Sequence, residues 1–354
     1  MNLHCRPDDD EDLSSPPTSS SQTSSSVASS EEEEDFLDWT CEARRGGSLK
    51  EVDLERGSRG WASPPGNLFQ VRGANYFAKK SKVPAGDWLS KPVGVDWLRS
   101  SARLDHILGR SSGNRIVKSL EQAHRSGDGL KTFLLAINLQ VPGRDNHSAV
   151  FYYAVEQPIV PGSLLHKFIH GDDEFRNGRF KLINRIVKGP WIVRAAVGNH
   201  AACLLGRALT CRYWRGPNYL EIDVDIGSST VASYILHLAL GYVNSVSVDM
   251  AFLVESQSED ELPERLMGAV RIAQIDMKSA VFVEPELTGW VAPSPTTTIT
   301  PGTSQEKCAM SSSPLQSNLS WKKLSRGFSL LAHTSKVAGK VDDEHTRCEK
   351  NGFE

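Results

Sequence analysis

Glu221, Asp223 and Asp225 alternate with apolar residues in YLEIDVDI (219–226), and Gly227, Ser228 and Ser229 follow. Three carboxylates this close raise two chemistries. The first is a cation site. On one strand, same-face residues lie roughly 6.5–7 Å apart, from a rise of about 3.3 Å per residue. Ca²⁺–oxygen distances are about 2.4 Å, so a single flat strand does not close a metal shell. The second is an anion site, where Gly227 and the serines would open a helix whose N–H groups face a phosphate. No Gly-Lys-Ser/Thr follows, and the acids repel an anion. The favoured reading is a strand with Leu220, Ile222, Val224 and Ile226 in a core and its acids in solvent, then a glycine turn and a serine N-cap. With RGPN (215–218) as a hairpin loop, Trp214 pairs with Tyr219, Arg212 with Glu221 and Thr210 with Asp223.

Three other groups bear on chemistry. His170, Asp172 and Asp173 cluster in HGDDEF, but context places no serine or cysteine nucleophile beside them, so a polar turn is favoured over a triad. Arg179, Lys181, Arg185, Lys188 and Arg194 recur through RFKLINRIVKGPWIVR. They are candidates for an anionic lipid surface, although a solvated sheet edge where cations deter strand pairing is the favoured reading. In TVASYILHLALGYVN, Ser233, His237 and Gly241 fall on one polar stripe of an otherwise apolar helix. A helix that apolar is expected to be largely covered, with the stripe facing a cavity or close-packed backbone. No Cys/His spacing indicates zinc, and no cofactor is expected.

The elements that must position these groups follow from periodicity. DWLRSSARLDHILG (96–109) reads as a helix capped by Asp96, with a second helix over 114–125. KTFLLAINLQV (131–141) and AVFYYAVE (149–156) read as hairpin strands, and SLLHKFIH (163–170) as a helix capped by Ser163. Strands are expected over 179–191, 208–214, 219–226, 245–255 and 265–275, and a helix over 230–243. Strands with scattered helices and no βαβ rhythm indicate an α+β fold, a mainly antiparallel curved sheet packed on a few helices.

The ends differ in kind. Residues 1–38 hold eleven acids and one base, a net −10 against −3 for the whole 354-residue chain, which leaves +7 on residues 39–354. The arm's Ser-rich core has little to bury, so 1–66 is expected to be disordered arm and linker, with order from Asn67. Ser29 and Ser30 before EEEE suit an acid-directed kinase. Residues 285–354 read as a second disordered tail, with a basic amphipathic stretch at 320–340. Four of six cysteines lie in these tails, no secretory signal opens the sequence, and no uncharged apolar run reaches about 18–20 residues. A cytoplasmic setting, with peripheral membrane attachment open, is expected.

VRGANYFAKKSKVPAG, FRNGRFKLINRIVKGPWIVRAAVG, ACLLGRALTCRYWRGPNYLEIDVDIGSSTVASYILHLALGYVNSVSVDMAFLVE and ELPERLMGAVRI, in this order across 67–284, resemble the C-terminal domain of plant enhanced disease resistance 2 proteins. The resemblance implies a regulator of defence-related cell death. In longer family members the domain follows a pleckstrin-homology domain and a START lipid-transfer domain. Residues 1–66 are expected to form neither, so the reading is of the domain standing alone, and no phosphoinositide site is carried over. No catalytic set is carried over either. The expectation is therefore a non-enzymatic module binding lipid or an anionic membrane surface, with a ligand-free scaffolding domain as the alternative. Other proteins are possible partners through the tails, and no nucleic acid is expected.

Overall fold

The computed structural model describes residues 39–285 except 111–112, 126–131, 157 and 199–200. The acidic arm over 1–38 and the 320–340 stretch lie outside the described residues. Order does not wait for Asn67. Helix α1 (39–45) buries Trp39 and Ala43, and Leu49 bridges to Val95. The linker assignment for residues 39–66 is corrected accordingly: a few apolar anchors are enough to dock a segment whose composition is mostly polar.

Among the described residues, thirteen strands build two sheets and a hairpin. A five-stranded sheet has the order β1 (Gly60–Ala62), β12 (Leu266–Ala273), β11 (Ser247–Val254), β7 (Phe180–Lys188), β8 (Ala201–Leu204). A six-stranded sheet has the order β13 (Val281–Phe282), β4 (Lys91–Ser100), β6 (Asn146–Glu156), β5 (Thr132–Val141), β10 (Tyr219–Asp225), β9 (Thr210–Arg215). β2 (Gln70–Arg72) and β3 (Lys82–Pro84) form the hairpin. Pairing is mainly antiparallel, with β5–β10 and β4–β13 parallel. The remaining helices are α2 (Tyr76–Lys79), α3 (Arg115–Arg125), α4 (Leu164–His170), α5 (Asp173–Arg179), α6 (Trp191–Val197), α7 (Leu205–Ala208) and α8 (Thr230–Leu240). The class is α+β, as the pattern indicated.

The main core lies between the two sheets, where Ile137, Phe151, Tyr153 and Ile222 meet Phe180, Phe252 and Met267. Each sheet is also covered on its outer face. Ile116 and Leu120 of α3, with Leu104, Ile107 and Leu108, cover Leu134, Val150 and Tyr152. Phe69, Val71 and Ala85 cover Ile183, Leu253 and Leu266. Ile222 is fully buried and central in β10. Ile222→Val, which deletes one methylene, should cost about 0.5–1.5 kcal/mol in denaturant unfolding with an unchanged m-value.

Double cover explains the one wrong element. The helix expected over 96–109 is the second half of β4, then a loop and a single 3₁₀ turn at Ile107–Gly109. A strand buried on both faces loses its period of two, and its apolar run then fits a helical template as well. Asp96 does not cap a helix. It is buried and paired with Arg115 at 3.1 Å. Gly94 makes room for that arginine: it sits at φ 154°, and a Cβ there would lie 2.9 Å from the guanidinium. The other expected elements stand, including α4 with its Ser163 cap accepting from His166 N.

Candidate functional site

The acids of β10 are not in solvent. Glu221 and Asp223 are buried, because β10 lies between β5 and β9 and the loop before Ile107 covers its outer face. Glu221 accepts the backbone N–H of Ile107 (2.6 Å) and of Leu108 (2.7 Å), one on each oxygen. Asp223 accepts from His106 N (3.0 Å), Asn138 Nδ2 (2.8 Å) and Trp214 Nε1 (2.7 Å). His106 stacks on Trp214 with centroids 4.8 Å apart. Asp225 pairs with Arg103 at 2.9 Å. The solvated reading is thus overturned: the carboxylates tie the 101–109 segment to the sheet. Burial, then the neighbouring Asp223, pushes Glu221 well above the usual carboxylate range, and burial raises Asp223 also.

The hairpin register differs from the expected one by two residues. Trp214 stands opposite Glu221, Arg212 opposite Asp223 and Thr210 opposite Asp225. The strands close further than a four-residue loop allows. Gly216 N donates to Tyr219 O at 3.0 Å, which leaves Pro217 and Asn218 as the turn. Arg212 serves Asp105 instead, at 3.0 Å.

The basic series in and beside β7 largely answers its own carboxylates. Lys181 is buried between Glu264 (3.1 Å) and Glu255 (3.2 Å). Arg179 pairs with Glu261, and Arg185 with the buried Asp249 at 2.7 Å. These three are withdrawn from any anionic-surface role. β7 is an interior strand, and its partners come from 249–264, far along the chain. Lys188 and Arg194 are exposed. His170 stacks on His166, Asp172 caps α5 by accepting from Phe175 N, and Asp173 pairs with Arg176, so the polar turn is Gly171–Asp172 and the rest of HGDDEF opens α5. Among the described residues, no group of three or more His, Cys, Asp or Glu could hold a metal ion.

Beneath α8 the two sheets flank an open apolar cavity of ≈ 260 Å³. Leu182, Val248 and Met250 line it from the five-stranded sheet, Leu139 and Val224 from the six-stranded sheet. The roof is α8, through Ala232, Ile235, Leu236 and Ala239, with Val197 at the end of α6 beside it. These positions recur at three and four residues, so they form one helix face. Ser229 starts the helix by accepting from Ala232 N. The polar stripe points elsewhere. Ser233 is half-buried, His237 and Gly241 are exposed, and none of the three lines the cavity. His237 Nδ1 lies 2.7 Å from Ser233 O instead. α8 is also less covered than its apolar sequence suggested: Tyr234 is 61% exposed. One polar side chain breaks the lining. Asn184 borders the cavity, and its Oδ1 is buried with no hydrogen-bond partner.

The family described as Protein ENHANCED DISEASE RESISTANCE 2, C-terminal matches residues 61–276, from β1 to just past β12, including the cavity and the buried acid pair. The chain belongs to this family. A curated relative from Arabidopsis thaliana, Protein ENHANCED DISEASE RESISTANCE 2-like, is 46% identical over 235 residues, which are 66% of this chain and 31% of the relative. The chain therefore spans about a third of that relative's length. No solved structure matches. Within the enhanced disease resistance 2 C-terminal domain, sequence reasoning placed α8 correctly and picked the wrong face of it. The alternation of small and branched residues at 232, 235, 236 and 239 was the available signal.

Proposed function

We propose that this enhanced disease resistance 2 C-terminal domain is a non-enzymatic regulatory module, in the defence-related role its relative's name describes, and that its cavity takes the aliphatic chain of a lipid. The open apolar cavity between the sheets carries this reading, because such a space with few polar groups favours an apolar ligand. Asn184 Oδ1 supports a ligand bearing one hydroxyl or amide donor at that depth, since a buried acceptor gains most from a partner it otherwise lacks. Phenylalanine at Ala232 would project into the space from the roof. In titrations with a fluorescent single-chain lysolipid, Ala232→Phe should weaken saturable binding at least about tenfold while keeping the folded-state circular dichroism. Failure of the wild-type chain to bind saturably, or equal binding by the variant, would leave a scaffolding domain as the better reading.

A further inference from the structure

The roof of the cavity has an outer side with unusual composition. α6 and α8 pack together, with Val193 and Val197 of α6 in the same cluster as Ala239 of α8. On α6, Trp191, Arg194 and Ala195 turn outward while Val193 and Ala196 are buried, which is the helical period of one exposed face. Trp191 is 67% exposed, and α8 contributes Tyr234 at 61% and Val231 at 44%. The turn after α8 adds Tyr242, at 40%. Several exposed apolar and aromatic side chains gathered on one helix pair are the kind of patch that marks an interaction surface.

Charge selects the contact. The sequence contains no Asp or Glu between Glu174 and Glu221, and none between Asp225 and Asp249, so neither helix brings an acid to this face. Lys188, just before α6, and Arg194 on it are the two β7–α6 cations left exposed. Tryptophan and tyrosine beside exposed cations suit the headgroup zone of an anionic bilayer, where rings sit between polar and apolar layers.

From this we infer that the outer face of α6 and α8 docks on an anionic membrane surface, with Trp191 and Tyr234 as interfacial anchors and Lys188 and Arg194 as headgroup contacts. The inference deepens the proposed lipid-binding role. The same two helices roof the cavity, so docking would bring the cavity's cover against the lipid it is proposed to take.

The test uses the full chain with phosphatidylcholine vesicles, with and without phosphatidylserine, in co-sedimentation. Brominated phosphatidylcholine serves as a quencher of tryptophan fluorescence. Trp191→Ala and Tyr234→Ala should each lower partitioning about tenfold, and the pair Lys188→Glu with Arg194→Glu should erase the preference for phosphatidylserine. Bromine quenching should be present in the wild type and fall in Trp191→Ala. Trp191 does not line the cavity, so its alanine variant should still bind the soluble lysolipid. Unchanged vesicle binding by Trp191→Ala and by the charge-reversed pair would overturn the docking face while leaving the cavity reading intact. A concentration-dependent dimer in sedimentation velocity that Trp191→Ala abolishes would overturn it in favour of a second copy on this face.

Discussion

Asp249→Asn should destabilise the domain by about 3–5 kcal/mol in denaturant unfolding, the range for breaking a buried ion pair from one side. Asp249 is fully buried in the middle of the five-stranded sheet. Directly across from it stand Arg185 on β7 and Arg271 on β12. Arg185 donates to Oδ2 at 2.7 Å, and Arg271 donates to Oδ1 at 2.5 Å and to Oδ2 at 2.9 Å. Asparagine is nearly isosteric, so the packing survives and the charge does not. Two guanidiniums would then face each other across a neutral amide, and the buried one, Arg271, would lose its counter-ion. By contrast, Arg125→Ala, whose partner Glu121 shares an exposed helix surface, should change stability by no more than about 1 kcal/mol. Equal effects from the two variants would show that the triad is not what secures β7 to β12.

Glu221→Gln should also cost about 2–5 kcal/mol, and the cost should depend on pH. Both oxygens of Glu221 receive backbone N–H groups. An amide NH₂ in place of one oxygen sets donor against donor, and each unmet buried donor costs about 1–3 kcal/mol. The sign of the pH dependence follows from the raised pKa. The unfolded chain releases this proton near pH 4.3, roughly the ordinary glutamate value, while the folded chain holds it to higher pH. Folding takes up a proton in that interval, so the wild-type contribution is greatest below the unfolded pKa and declines as pH rises through the folded one. Glutamine does not titrate. The difference between wild type and variant should therefore shrink on going from pH 5 towards pH 8. A difference that stays constant from pH 5 to pH 8 would mean that the fold holds Glu221 ionised.

The parts of the fold legible in the sequence were those with one wet face or a clean cap. The β5–β6 hairpin, α4 behind Ser163 and α8 behind Ser229 belong here. Positions that depend on cover from distant segments were not legible. β4 lost its alternation because α3 and the main core bury both its sides. The polar face of β10 was read as solvated because nothing local reveals that residues 104–108 close over it. The same reason hid the fate of Lys181, whose partners Glu255 and Glu264 sit more than seventy residues later. For the cavity, the helix was visible and its inward face was not. A stripe of Ser233, His237 and Gly241 stands out by polarity, whereas the cavity-facing side is marked only by modest size at Ala232 and Ala239.

The order in which the chain visits its two sheets bears on how the domain is made. β4, β5 and β6 belong to the six-stranded sheet, β7 and β8 to the other, β9 and β10 return to the first, β11 and β12 go back, and β13 closes on β4. β1 waits for β12, some two hundred residues downstream, and β5 waits for β10 across an intervening visit to the opposite sheet. Neither sheet can be completed until nearly its last strand has left the ribosome. Such distant pairings incur the entropy of long loops before contacts reward it, so assembly should be slow and late rather than sequential. A nascent chain stalled before β11 would present β7 with its carboxylate partners missing, two unmatched cations in a half-built sheet and a third, Arg179, just before it, a species well suited to capture by chaperones.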